Sequence, residues 1–475
     1  MDGRALSGRW KVESGKRKGR RRPTAALHFP LSAFHWLSRL GALLLSIAIT
    51  LPAACQERDA AGLPIVSKAV TSVEAVQIAL TNSPTLAARK AAVAAFAARA
   101  NAAGSMTKLQ LATTTFLTKA SDQMILASSP GVEPANITMA PGKARASQNF
   151  MLMYPLFTGG RLRSAELAAR SETSSASAES LMAELDVVLA AKIAYDQSLL
   201  ARSYVEAYKQ RVDESRERVR IAEEAYEAGK IARYDLLRNR TDLADSEQQL
   251  TNAQRDVQVA DADLKQVLGV SQDSDLPLAY KLDSKPAEVE TADLQKEALA
   301  HRPELAAARS MVSAAEAMLR AAKAAYLPQV YGVAMQDLGA VKDETLGHGS
   351  LVGITASIPI LDGGLRKSDV AEAQAMLDGA RAQERDAVLS VTRDVAASRA
   401  ELDAASRNVS LARAAVDQAD EDYRVIKLRY EAGKSINVEV LDALAALVRA
   451  QTNYADALYQ RSVAHSKLAR AIGRR

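Results

Sequence analysis

The chain has 475 residues, 48% hydrophobic and 25% charged, enough apolar content for a buried core and too much for wholesale disorder. Its formal charge of +5 arises in the first 55 residues, where ten Lys and Arg face two acids; the remainder holds 51 basic and 54 acidic residues, which removes the charge argument for a nucleic-acid partner. No stretch after residue 55 reaches the roughly 18 apolar residues that a spanning helix needs, so any passage across a bilayer must use strands.

Residues 1–55 read as an export leader. Lys16-Arg17-Lys18 and Arg20-Arg21-Arg22 form a basic start, and the apolar run from Leu40 to Ala54 ends in small residues. Both tryptophans, Trp10 and Trp36, lie here. The single cysteine, Cys55, excludes an intramolecular disulfide and a thiolate metal cluster. Leu51-Pro52-Ala53-Ala54-Cys55 has the look of a lipobox, so Cys55 is a candidate for acylation, against ordinary cleavage nearby.

After an N-terminal extension, 56–71, the chain is an internal duplication. Tyr226-Glu-Ala-Gly-Lys230 recurs as Tyr430-Glu-Ala-Gly-Lys434, an offset of 204, and residues 226–269 align with 430–473 at 12 identities in 44 positions. The same offset pairs Pro155-Leu-Phe-Thr-Gly-Gly160 with Pro359-Ile-Leu-Asp-Gly-Gly364. A helix start, Ala79-Leu80…Pro84-Thr-Leu86, matches Ala298-Leu299…Pro303-Glu-Leu305. The units run over 72–269 and 292–473, joined by a connector, 270–291.

Each unit reads helix, two strands, very long helix, turn, long helix. In the first, strands are expected over 109–119 and 148–157, and a hairpin tip near Gly229. Leu236, Leu243, Leu250, Val257 and Leu264 then recur every seven residues. In the second, strands are expected over 329–337 and 351–361, with Val352, Ile354, Ala356, Ile358 and Ile360 alternating against Gly353, Thr355 and Ser357. Polar loops at 120–146 and 338–349 separate the paired strands. The helix that follows carries two heptad rows, Val395-Leu402-Val409-Val416-Tyr423-Tyr430 and Val391-Ser398-Ala405-Ala412-Ala419-Ile426, up to a tip near Gly433. A sustained 3.5-residue period means coiled-coil packing, and a helix from Gly364 to Tyr430 is roughly 100 Å long. Glycine at each tip supplies the left-handed cap that ends one helix and starts a hairpin.

Each strand has about the 9–11 residues that a tilted membrane strand requires. Four strands cannot close a barrel, and lipid tolerates no open sheet edge. Three chains pooling four strands each would make a cylinder of twelve, within the range of closed membrane barrels.

Along nearly the whole mature chain the sequence resembles the TolC-like outer membrane efflux protein family. The residues that carry the resemblance are the paired Pro-Leu-Phe-Thr-Gly-Gly-Arg161 and Pro-Ile-Leu-Asp-Gly-Gly-Leu365 segments, the tip motifs Tyr226–Asp235 and Tyr430–Asp442, and the two Leu…Pro-x-Leu helix starts. The resemblance implies a mainly α fold with a small β membrane part: a homotrimer whose helical hairpins form an α-barrel across the periplasm below a twelve-stranded outer-membrane barrel. Pro155, Gly159, Gly160, Pro359, Gly363 and Gly364 would mark the strand–helix junctions. Such proteins are passive exit ducts of tripartite efflux or type I secretion systems. Their partners are a periplasmic adaptor (membrane fusion) protein, an inner-membrane pump of RND, ABC or MFS type, and outer-membrane lipid. Adaptor and pump open the duct at its tips, where Gly229, Lys230, Gly433 and Lys434 would make the adaptor contact. Asp235 and Tyr430 match residues that hold the closed state; the Arg often found two places after the second tip glycine is Ser435 here. Glu439 and Asp442 match acidic positions at the periplasmic entrance, where three chains would set six carboxylates that attract cations; two solvated acids near a helix N-terminus is the plainer reading.

Enzyme chemistry finds no support. His301, His348 and His465 are not at ligand spacing, Gly347-His-Gly349 does not sit in a βαβ unit, and no Ser lies in a Gly-x-Ser-x-Gly elbow; no cofactor is implied. A periplasmic adaptor would show one hairpin and no duplicated strand pairs. A structural coiled-coil filament of the envelope would leave the strands and the Pro-x-x-x-Gly-Gly junctions without a role.

Overall fold

The computed structural model describes residues 59–60, 62–119, 124–126, 137–139, 144–279, 293–341 and 344–474, within a unit spanning 57–475. The leader with Cys55, most of the first interstrand loop and the connector beyond 279 lie outside the described residues.

In the first copy, α1 (Ser72–Asn82) and α2 (Pro84–Ser105) lead into β1 (Gln110–Lys119). A short hairpin of β2 (Met124–Leu126) and β3 (Ile137–Met139) follows, then β4 (Ala144–Phe157), α3 (Arg161–Glu227) and α4 (Arg233–Leu268). The second copy gives α5 (Leu294–His301), α6 (Pro303–Ala324), β5 (Gln329–Val341), β6 (Glu344–Ser357), α7 (Leu365–Glu431) and α8 (Asn437–Ala471). Local chemistry sets the starts. Thr71 and Glu74 form a reciprocal capping box at α1, where hydrogen bonds from Lys68 and Thr71 hold the Glu74 carboxyl at about 2. Pro84 and Pro303 occupy the first turns of α2 and α6, where a missing N–H does no harm.

β1, β4, β5 and β6 form one antiparallel sheet in that order. The helices attached to those strands repeat the order: α3 packs on α2 and α4 on one side and on α6 and α8 on the other, while α7 packs on α5, α6 and α8. The middle and the edge of this layer are buried very differently. Of two 67-residue helices, α3 buries 19 residues and α7 buries seven; Leu389, Leu411 and Leu428 of α7 stay exposed. The seven in α7 include Val391, Ala405, Val395, Val409 and Tyr423, members of the two heptad rows.

Strand register gives the sheet two unlike faces. On one lie Leu111, Leu152, Ala334 and Val352, with Tyr154, Gly332 and Ile354 in the next layer. On the other lie Gln110, Thr114, Asn149, Asp337, Gln329, Thr355 and Ser357, with Ala112, Tyr331, Val333, Leu351 and three methionines, while the first face turns polar at Thr113, Gln336 and Ser350. Leu111, Val352 and Ile354 are 70%, 84% and 72% exposed, a patch that water alone would not sustain.

Strand boundaries differ from the sequence reading in both copies, and β4 starts at Ala144 rather than 148. β6 stops at Ser357, not 361, because Ser357 pairs with Gln329, the first residue of β5, and 358–361 have no partner. β5 and β6 also continue towards each other to 341 and 344, so most of the loop expected at 338–349 is strand. In the first copy β4 runs through Pro155 by a register shift between Pro155 and Phe157, the irregularity that a residue without an N–H requires.

At the first junction Gly159 has φ +57° and sits so close to α6 that a Cβ would meet Leu327 at 2.7 Å; Gly160 then starts α3. At the second, Gly363 and Gly364 have open space, and Asp362 caps α7 by accepting from the Gly364 and Arg366 amides; Pro359 lies just before it, outside the strand. The extension and the start of the connector meet at Ser67–Asp275 and Val70–Leu278 bridges. Val70 and Leu276 pack there with Tyr195, Leu199, Leu264 and Leu268, and Tyr195 donates to the Val70 carbonyl.

Candidate functional site

Both hairpins end in the same backbone motif. At the first tip Gly229 N–H donates to Tyr226 and Lys230 N–H to Ala225; at the second Gly433 donates to Tyr430 and Lys434 to Arg429. Gly229 and Gly433 have φ +67° and +70°, as this 6→1 and 5→2 closure demands. Because α3 and α7 leave the same sheet and have equal lengths, both tips lie at the end remote from the strands. All four tip residues are exposed, and among the described residues neither Lys230 nor Lys434 makes an ion pair.

Asp235 is half-buried in the first turn of α4, and Tyr430 is half-buried in the last turn of α7. Burial pushes the Tyr430 hydroxyl up, and the charge of Asp235 adds to the shift. The charge of Asp235 thus reaches Tyr430, but among the described residues no hydrogen bond joins their side chains. Ser435 donates instead to Glu439, so this position serves the first turn of α8.

A tie between the two copies lies one heptad further from the tip. Tyr423 Oη of α7 donates to Glu214 Oε2 of α3 at 2.7 Å, and Lys427 Nζ reaches the same oxygen at 3.0 Å, while also lying over the Tyr423 ring at 5.7 Å. Burial pushes Glu214 up, but the hydrogen bonds from Tyr423 and Lys427 and the charges of Lys427 and Arg218 outweigh it, leaving the carboxyl below its ordinary value. Burial, then the bond to Glu214, drives the Tyr423 hydroxyl far up. Sequence reasoning missed this cluster. Its only trace is the change from Val and Leu to Tyr at 423 and 430 in the heptad row.

Inside the hairpins the copies diverge. The α3–α4 seam holds a polar network: Arg211 and Arg218 on Asp242 at 3.1 and 3.3 Å, Ser215 on Asp242 at 2.8 Å, and Arg211 on Ser246 at 3.0 Å. At the offset of 204, Arg211, Ser215, Asp242 and Ser246 correspond to Ala415, Ala419, Ala446 and Ala450. The α7–α8 seam is correspondingly apolar, built on Val440, Ala443, Leu444, Leu447 and Val448 around Tyr423.

Glu439 and Asp442 are exposed on one face of the first turns of α8. Asp442 opens onto a groove that α4 lines with Tyr234, Leu237, Arg238 and Asp245. Among the described residues no group of three His, Cys, Asp or Glu is placed to hold a metal ion, and no helix is long and apolar enough to cross a membrane.

Comparison with known proteins follows this layout. OprJ of Pseudomonas aeruginosa, an outer membrane protein, is 26% identical over 182 residues, 37% of this chain and 38% of that protein. SepC of Pseudomonas putida, a probable efflux pump outer membrane protein, is 27% identical over 335 residues, 68% of each chain. The chain thus spans little more than a third of the length of OprJ and about two thirds of SepC. The crystal structure of the outer membrane protein VceC from Vibrio cholerae superimposes with a TM-score of 0.71 over 85% of this chain and 96% of that one, at 20% identity, a likeness of fold. The sequence model of the outer membrane efflux protein family matches residues 75–270 and 294–474, one copy after the other. With both halves of the duplication matched, the chain belongs to the outer membrane efflux protein family.

Proposed function

We propose that three copies of this chain form the outer-membrane exit duct of an efflux or type I secretion system, opened at its periplasmic tips by an adaptor and an inner-membrane pump. The observation that carries this reading is the open four-stranded sheet with one apolar face. Its edge strands β1 and β6 run antiparallel to each other, so β6 of one copy can pair with β1 of the next around a closed ring. Each backbone group left unpaired in hydrocarbon costs several kcal/mol, and edge-to-edge pairing removes every one. The helix layer supports the same closure, since α7, the helix that follows β6, leaves Leu389, Leu411 and Leu428 exposed. The face with Leu111, Val352 and Ile354 then meets lipid, and the face with Asn149 and Asp337 lines the bore.

At the tips, Asp235 and Tyr430 together with the Glu214–Tyr423–Lys427 cluster hold the second hairpin against the first. Gly229, Lys230, Gly433 and Lys434 offer the adaptor an exposed rim. Glu439 and Asp442, repeated three times, make an acidic entrance. Acylation of Cys55 would add an anchor in the same membrane.

The test is extraction of the full chain from outer membranes, with mass measured by light scattering and conductance in planar bilayers. Three chains per particle and discrete channels are expected. A monodisperse single chain without membrane affinity would remove the reading.

A further inference from the structure

On the bore-side face of the sheet polar residues are interspersed with apolar ones, and three methionines stand together on it. Met151 of β4 lies directly opposite Met335 of β5, and Met153 is the next residue of β4 on that face. The apolar layer of the sheet is the other face, so these side chains do not continue it. Opposed residues on neighbouring strands have Cβ atoms about 5 Å apart and diagonal ones about 7–8 Å. A thioether sulfur stands two bonds beyond Cβ on a flexible stem, so three of them span these gaps with the backbone fixed. Met151 is 38% exposed, and Met153 and Met335 are half-buried. Their neighbours on the same face are Ala112, Val333 and Leu351, with Asn149 and Asp337 in the layer beyond.

We propose that Met151, Met153 and Met335 form a site for a soft monovalent cation, copper(I) or silver(I), on the wall of the bore. Thioethers are soft donors that select such ions over magnesium, calcium or zinc. Ala112, Val333 and Leu351 offer none of the oxygen donors that a hard cation takes, and Asp337 supplies negative charge one layer away. Three neutral donors bind weakly, which suits a passage that an ion must leave as readily as it enters. The assignment rests on the reading of this face as the inside of a duct.

The probe is silver nitrate in chloride-free buffer, added to the detergent-solubilised full chain carrying Cys55→Ser so that no thiol competes. Native mass spectrometry counts the bound silver. Met151→Leu with Met335→Leu, a swap that keeps volume, is expected to lower affinity by on the order of tenfold or more. Met311→Leu with Met376→Leu, at exposed helical positions, should leave it unchanged. Absence of silver binding, or equal binding by both double variants, overturns the site. Conductance of the same samples reports the duct separately: a channel without silver affinity ends this inference alone, and a protein that forms no channel ends the duct reading.

Discussion

Tyr423 donates its hydroxyl hydrogen to Glu214 across 209 residues of sequence, joining the long helix of the second copy to that of the first. The two hairpins otherwise meet here through α3 and α8, so this bond and its Lys427 companion restrain the outer flank of α7. Tyr423→Phe keeps the ring in its apolar surroundings and deletes the bond. A hydrogen bond to a charged group contributes about 1.5–3 kcal/mol, and partial exposure of Glu214 and Lys427 reduces it to about 1 kcal/mol, roughly fivefold in a closed–open equilibrium. Single-channel recordings should therefore show open probability about fivefold higher; unchanged recordings would show that the bond does not restrain closure.

The same carboxyl should make closure sensitive to acid. Its pKa is lowered from 4.5 in the folded chain, so the stabilisation is fully present above 4.5 and is lost as pH falls through the depressed value. Open probability should hold steady from neutral pH to about 5 and rise below 4.5. Glu214→Gln should flatten that limb of the curve; a limb that persists in the variant belongs to other carboxylates.

Among the described residues no hydrogen bond joins the side chains of Asp235 and Tyr430, although the charge of the first acts on the second. Asp235→Ala with Tyr430→Phe should raise conductance in planar bilayers, but by less than Tyr423→Phe alone. The reverse ranking would place the principal restraint at the tip.

Glu439 and Asp442 share one exposed face at the start of α8. Glu439→Gln with Asp442→Asn removes two charges per chain without changing volume, so cation preference, read as the reversal potential in a salt gradient, should move towards zero. A reversal potential that does not move would return both residues to the role of solvated acids favoured by the helix N-terminus.

What could be read from sequence depended on whether the cause was local. The heptad rows of α7 are buried at Val391, Val395, Ala405, Val409 and Tyr423, because a 3.5-residue repeat fixes which face meets a partner. In α4 the heptad row Leu236, Leu243, Leu250, Val257 and Leu264 is buried at Leu236 and Leu264 but only half-buried at the three positions between them. The fully buried row is Asn239, Ser246, Ala253 and Ala260, since the polar seam with α3 brings the helices close through small residues. The Tyr423 partner was not legible, because it depends on how two hairpins lie side by side. Nor was the bridge between residues 67–70 and 275–278, where two short segments without periodicity, far apart in sequence, pair with each other.

Asp242 carries two arginines whose side chains are 14% and 10% exposed. Asp242→Ala leaves both charges buried and unpaired, which costs about 3–5 kcal/mol. The second copy supplies the control, since alanines occupy the positions of Arg211 and Asp242 there. Arg211→Ala added to Asp242→Ala should recover part of the loss. Thermal unfolding of the solubilised protein is the measurement, and a double variant less stable than Asp242→Ala would contradict the argument.

Gly159 and Gly160 both have positive φ at the first junction, but only Gly159 lacks space. A Cβ at Gly159 would lie 2.7 and 2.8 Å from Leu327 Cδ1 and Cβ and 3.2 Å from the Ala324 carbonyl oxygen, whereas nothing lies within 4 Å at Gly160. Gly160→Ala therefore meets the left-handed strain alone, about 1–2 kcal/mol. Gly159→Ala adds a clash with a backbone oxygen and a Cβ that cannot rotate away, so the α6 end must shift and the Gln329 side chain, which donates to the Thr158 and Leu327 carbonyls, loses its seat. Since Gln329 opens β5, the damage should reach the sheet. Trimer yield from outer membranes should fall in the order wild type, Gly160→Ala, Gly159→Ala. Equal yields for the two variants would mean that backbone conformation, rather than the approach of α6, sets the need for glycine at this turn.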